Sequence, residues 1–431
     1  MQIIATSPLL CVLRRVFFGA AVVVGSNVAA IADDQAPIAT VPSAGAPQTL
    51  TSDWFGTGQD MRNAGFDTRI EWSQFFQGMP GGTGAGDKTW EYGGKWDIQE
   101  RLDLAKLGLW NGLSITGQFV YNYGNSVNGI DGSLLPVNAA LYFPGIQGAD
   151  ASDLMAFYVR QDFGTVASLL IGKLNFVEFA RATPLRGGGG VDTFWNVNLA
   201  TPVSGLTPPT VNGAQLRINT QPVSYSLTVF DPLDATNRPL FNDLFETGVS
   251  VMGTATLQTT IAGETGYYGI KGIYSTREGP DLSELIPSVI NDVTITKSGS
   301  YYVGLSMQQY LIHDPNTSGR GWGVFGEITK ADGNPNTLQW STYFGVGGSS
   351  LIPSRPDDRF GVAYFRYGMS NDLKNDLAPI FDLTDESGLE LFYNVAVTPW
   401  LRVTADLQFV RPATGSDPGS IYAGLGTNVR F

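Results

Sequence analysis

Stepping back from the last residue in twos gives Phe431, Val429, Thr427, Leu425, Ala423 and Ile421 on one face. Arg430, Asn428, Gly426, Gly424 and Tyr422 fall on the other. A period of two sustained over this length predicts a strand whose two faces meet different media. About 9–11 residues is also what a tilted strand needs to cross a bilayer.

A strand of this kind that ends on an aromatic residue resembles the last strand of bacterial outer-membrane barrels. Composition agrees. Charged residues make up 15% of the chain, against about 25% in soluble proteins. Gly accounts for 53 of 431 residues and aromatics for 12%. Beyond the N-terminal stretch no run reaches the roughly 18 apolar residues of a helical span. Alternation hides apolar surface within a mean hydropathy near zero, as a barrel requires.

Arg14 and Arg15, the apolar run Val16 to Val24 and the small residues ending Ala30-Ile31-Ala32 predict an export signal (residues 1–32), cleaved after Ala32. Cys11, the one cysteine, lies inside it, so disulfides and thiolate metal sites are excluded for the remainder. Residues 33–49 read as an Ala/Pro-rich periplasmic lead, and 50–431 as the barrel. The formal net charge is −13; residues 1–32 carry two of the cations and no acid, so the rest stands at −15. That acidity opposes nucleic-acid binding and a channel built for anions.

After a short helix expected over Thr57 to Ala64, alternation recurs throughout. Phe66, Thr68, Ile70 and Trp72 oppose Asp67, Arg69, Glu71 and Ser73. Further strands are expected near 95–105, 113–123, 153–161, 166–174, 213–219, 222–230, 247–259, 266–276, 300–311, 320–330, 336–347, 359–369, 388–397, 400–410 and 420–431. Glu100 is a misfit on an apolar face. The fold predicted is all-β: a transmembrane antiparallel β-barrel of about 16 strands with a pore-constricting loop. An even count returns both ends to the periplasm. The short connectors at Lys106–Asn111, 163–165, Asn219–Pro222 and 398–400 alternate with long ones at Gly124–Ser152, Asn175–Asn212, Arg277–Gly299 and Ser370–Ser387. Ile312–Gly319 and Gly348–Asp358 are long for turns, and Ala331–Pro335 is short for a loop. Unpaired amides in hydrocarbon are costly, so the first strand must pair with the last. Trp72, Tyr123, Trp340, Tyr367 and Trp400 are candidates for interfacial girdles.

A barrel this wide leaves an aqueous channel that something must narrow. The candidate is the loop Asn175 to Asn212, which carries Glu178, Arg181, Asp192 and Trp195. Arg69, Glu71, Arg101 and Lys173 join them from strand parity as candidate pore-constriction residues. Carboxylates accept from sugar hydroxyls, guanidinium groups donate, and an aromatic face covers the apolar side of a sugar ring. The same charges would also serve to pair across strands and stiffen the wall.

The segment Glu390 to Leu401, continued by Asp406 to Pro412, resembles the C-terminal signature of the carbohydrate-selective porins, the OprB family. Lys106 to Trp110, Ile171 to Leu174 and Arg355 to Asp358 match as well. The resemblance implies a sixteen-stranded barrel of the bacterial outer membrane that passes glucose and related sugars by diffusion through a constriction of Arg and Glu. Its partners would then be sugars, outer-membrane lipids and lipopolysaccharide, with monomer and homotrimer both open and no cofactor. A general porin is the nearest alternative. An enzyme is disfavoured because His313 is the one histidine, which leaves a histidine base or a His metal cluster at most one member.

Overall fold

In the computed structural model, which describes residues 49–81, 89–145, 150–313, 320–349, 352–414 and 419–431, sixteen antiparallel strands close into one barrel. The expected export signal and nearly all of the lead lie outside the described residues. In chain order the strands are β1 (Phe66–Gly81), β2 (Trp90–Asp103), β3 (Leu113–Gly124), β4 (Ala151–Phe163), β5 (Ala167–Asn175), β6 (Thr210–Asn219), β7 (Val223–Phe230) and β8 (Ser250–Ile261). They continue with β9 (Glu264–Pro280), β10 (Thr296–His313), β11 (Gly321–Ala331), β12 (Leu338–Ser349), β13 (Arg359–Met369), β14 (Glu386–Thr398), β15 (Leu401–Arg411) and β16 (Ser420–Arg430). The short helix falls at Gly58–Asn63.

Each strand pairs with its chain neighbours, and β1 pairs with β16 to close the ring, with Glu71 opposite Arg430 and Trp72 opposite Val429. Phe431 continues the seam: its N–H donates to the Ile70 carbonyl at 3.0 Å, and its ring lies 5.7 Å from that of Trp96.

Parity sorts the faces as the alternation requires. Ile421 and Leu425 are exposed outward, whereas Tyr422, Gly424, Gly426 and Asn428 are buried inward. The same holds for Ile98, Phe119, Ile171, Ile270 and Leu305, which form the outer belt. Inward positions carry Asp97, Gln118, Thr404, Asp406 and Gln408, all buried. A polar interior behind an apolar belt is the reverse of a soluble core, and it fits lipid outside and water within.

Glu100 does point outward, where it lies directly opposite Thr68 of β1 and accepts that hydroxyl. Tyr367 departs from the expectation. It is 4% exposed and faces inward with Ala363 and Phe365, because the inward register of β13 runs through odd residue numbers. Trp72, by contrast, is on the outer face, stacked on Trp96 and donating to Tyr123 Oη at 2.8 Å.

The apolar core sits inside the barrel, where long loops fold back on the wall. Leu135, Phe143, Phe176, Val177 and Val197 from two loops pack with Tyr158, Leu170, Phe230, Met252 and Tyr302 from the strands.

Candidate functional site

The stretch between β5 and β6 crosses the lumen. It starts as a helix, Phe176–Arg181, because the Asn175 side chain accepts the N–H groups of Val177 and Glu178 at 3.0 and 3.3 Å. Glu178 and Arg181 are three residues apart and share a face of that helix. On the wall Arg69 and Glu71 are two apart on β1 and share its inward face. The two pairs meet with signs exchanged.

Arg69 Nη2 reaches Glu178 Oε1 at 2.6 Å, and Arg181 Nη2 reaches Glu71 Oε2 at 2.5 Å. Arg181 Nη1 stands 3.9 Å from Glu178. Gln118 ties the group to β3 and β2: its amide donates to both oxygens of Asp97 at 2.9 and 3.0 Å and to Glu178 at 3.5 Å. Burial opposes the Glu178 charge, but Arg69 and Arg181 hold its carboxyl below the ordinary carboxylate range. Arg430 extends the network, lying 3.5 Å from Glu71 and 3.3 Å from Asp192.

Five of the eight sequence candidates, Arg69, Glu71, Glu178, Arg181 and Asp192, therefore share one network with Arg430. The other three stand apart. Lys173 is 1% exposed and pairs with Asp153 at 2.8 Å, outside that network. Arg101 faces inward near the turn end of β2, opposite Asp67.

Trp195 is fully buried, so its ring cannot cover a passing sugar. It lies edge-on to Phe75 at 5.1 Å and against the inner wall at Gly424 and Gly426. A Cβ at these glycines would stand 2.6 and 2.7 Å from the indole, so only glycine admits the ring there. An aromatic that sequence reasoning passed over, Phe179, is partly exposed beside Glu178, with the Arg217 guanidinium 4.8 Å from its ring centre.

The far end of the loop is fastened by residues also missed from sequence. Glu390 on β14 accepts the main-chain N–H groups of Trp195 and Asn196, the latter at 3.1 Å, and Asn196 Nδ2 donates to Gln408 at 3.1 Å. Arg186 donates to the carbonyls of Leu199 and Ala200 at 2.6 and 3.1 Å and lies over Tyr343 of β12. Glu386, four residues before Glu390 on the same inward face, holds a second loop by accepting the N–H groups of Leu134 and Leu135. The available signal was parity: two acids facing inward on one strand need donors, and the loops supply them.

His313 ends β10 with its ring beside Glu264, away from this network. Among the described residues no three His, Cys, Asp or Glu side chains converge as a metal ion would need.

The model of the family described as "Carbohydrate-selective porin, OprB family" matches residues 87–431. Porin B of Pseudomonas aeruginosa is 27% identical over 182 residues, 37% of this chain and 40% of that protein, so the match spans well under half of its length. A high-pH structure of Pseudomonas putida OprB superposes with a TM-score of 0.76 at 18% identity, covering 89% of this chain and 98% of that one. The outer-membrane channel DcaP of Acinetobacter baumannii does so at 0.53 and 9% identity, over 85% and 98%. At such identities the solved structures speak for the fold, and the family match speaks for kinship. The chain is a barrel of the bacterial outer membrane and belongs to the carbohydrate-selective porin, OprB family.

Proposed function

We propose that the chain is a passive channel for uncharged sugars such as glucose, with the Arg69, Glu71, Glu178, Arg181, Asp192 and Arg430 network as its constriction. The observation that carries this is the loop's path across the lumen, which ends in guanidinium and carboxylate groups still partly open to solvent. The side chains of Arg69 and Arg430 remain 26% and 35% exposed, those of Glu178 and Arg181 15% each. Such a rim offers donors and acceptors at close spacing. Because the charges are matched, a neutral hydroxyl-rich solute exchanges water for side chains without leaving a bare charge. Contacts of this kind are weak enough for the solute to leave again, as conduction needs.

Liposome swelling tests the reading. Glucose should enter faster than amino acids of similar size, and Glu178→Gln or Arg181→Gln should change the glucose rate while leaving the folded barrel intact. Equal entry of sugars and amino acids supports a general porin in place of a selective one. Release of free sugar from oligosaccharide by the embedded protein would overturn the channel reading in favour of an enzyme.

A further inference from the structure

The wall is not equally tall all round. β5, β6 and β7 have nine, ten and eight residues, and every other described strand has eleven or more. Along β10 exposed apolar side chains run from Tyr301 to Leu311. At about 3.3 Å per residue and a tilt near 40°, that run covers roughly 25 Å along the membrane normal, the full height of the apolar band. On β7 the outward series is Val223, Tyr225, Leu227 and Val229. The same geometry gives it about 15 Å. β6 offers Ala214, Leu216 and Ile218 alone.

This low flank is also dented on its outer surface. Leu216, Tyr225, Leu227, Gly253, Ile270 and Gly272 contribute to the lining of a concavity of about 370 Å³. Its floor is a pair of glycines: Gly253 of β8 lies opposite Leu227 of β7 on one side and opposite Gly272 of β9 on the other. Neither glycine has a positive φ, and a Cβ at either would meet no atom within 4 Å. Backbone conformation and the barrel's own packing therefore leave both positions open to larger residues. A glycine inside a strand marks a bulge, a bend or the close approach of something else. The ladders run through both residues without a bulge, which leaves close approach. Tyr225 and Leu227, both exposed, form a ridge beside the groove. Ridge and groove adjoin at similar depth in the membrane, as a self-complementary surface requires.

Above the groove the patch continues into the connection 231–249. The Ala235 N–H donates to the Thr210 carbonyl at 2.9 Å and the Phe245 N–H to the Asp231 carboxylate at 2.7 Å, which hold the connection on the short strands. Leu240, Phe241, Leu244 and Phe245 are exposed there, interleaved with exposed Arg238, Asp243 and Glu246. Hydrocarbon disfavours that mixture, whereas a protein interface places apolar groups at its centre and charges at its rim.

We propose that two copies of the chain pair through this flank, about a two-fold axis along the membrane normal, with the Tyr225–Leu227 ridge of each seated in the Gly253–Gly272 groove of the other. A span too short for the bilayer is relieved by thinning the lipid or by oligomerising. Pairing removes lipid from the stretch where the wall is lowest. It is independent of which solute the pore passes.

The test is made in lipid vesicles with the full-length chain carrying Cys11→Ser. Chains with Leu227→Cys and chains with Gly253→Cys, reconstituted together and oxidised, should cross-link to each other. Chains with Leu425→Cys, an exposed site on β16 across the barrel, should give several-fold less product. Singly labelled wild-type protein should bleach in two steps. Gly253→Leu with Gly272→Leu fills the groove without a clash inside the chain and should bleach in one step, while gel mobility and glucose entry report an intact barrel. Should that variant fail to fold, Tyr225→Ala with Leu227→Ala should give the same single step by removing the ridge. Single-step bleaching of the wild type would mean that lipid fills the groove, and it would overturn the pairing. Three steps, or equal cross-linking from Leu425→Cys, would overturn it as well. Each of these outcomes leaves the sugar channel standing, which fails separately if glucose does not enter.

Discussion

The Glu390 carboxylate, on the inward face of β14, accepts the main-chain N–H of Asn196 from the crossing loop at 3.1 Å, with the N–H of Trp195 at its other oxygen. One wall residue thus fixes the far end of a segment whose near end carries Glu178 and Arg181. The position of the proposed constriction depends on an acid that is nowhere near it in sequence.

Removing that anchor should therefore loosen the loop. Glu390→Ala leaves two buried amides without their acceptor, and each buried donor left unsatisfied costs about 1–3 kcal/mol. We expect a fall in unfolding free energy of about 2–4 kcal/mol, together with larger and noisier single-channel conductance. Glu390→Gln keeps one good acceptor and should recover part of both. Unaltered conductance in Glu390→Ala would show that the loop is held by other means.

Trp195 and Gly424 make a coupled pair. Trp195→Ala should cost about 3–5 kcal/mol, the usual range for emptying a large aromatic site. Gly424→Ala should be poorly tolerated alone, since its Cβ would meet the indole at 2.6 Å, and should cost less once the indole is gone. Denaturant midpoints of both single variants and the double variant check this; additive effects would refute the packing.

Glu71 is 3% exposed and lies between Arg181 and Arg430. Arg181→Ala takes from a buried carboxylate its closest partner and its hydrogen bond, a change typically costing about 3–5 kcal/mol. Adding Glu71→Gln should restore some of that loss. A double variant no more stable than Arg181→Ala would show that the charge is already relieved by water.

Asp358 gives a pH signature outside the membrane. Burial opposes its charge, but the Arg355 fork at 2.7 and 2.8 Å, the Ala396 N–H at 2.8 Å and the Tyr393 hydroxyl at 2.9 Å hold its carboxyl below the ordinary range. A lowered folded-state value means stabilisation present above the unfolded carboxylate value near 3.9 and lost as pH falls through the folded one. Asp358→Asn should thus be less stable than wild type at pH 7, with the gap closing on acidification below about pH 4. Following the heat-modified gel mobility against pH measures it, and a constant gap would remove Asp358 as the titrating group.

The barrel was legible because its two media impose one rule on every strand. Alternation in Phe66–Ser73 and Ile421–Phe431 indicated faces, count and closure together, and the placement of long connections indicated which end faces outward. The charge network of the proposed constriction was half legible. Parity put Arg69 and Glu71 on the inner wall, and loop position put Glu178 and Arg181 opposite them, but neither carries the distance that makes Trp195 a buried wedge and Lys173 a wall residue. Those roles depend on contacts between segments hundreds of residues apart, such as Trp195 with Gly424 and Gly426. Tyr367 illustrates the same limit: an aromatic near a strand end suits a girdle, and a single step of register placed it inside.

The seam between β1 and β16 sets an order of events. Every other stave finds a partner already beside it in the chain, whereas these two wait for each other across the entire length. Until Glu71 lies opposite Arg430, the cylinder is a curled ribbon with two raw hydrogen-bonding margins and no watertight bore. The residues that finish the hoop also belong to the proposed constriction, because Glu71 and Arg430 are part of both.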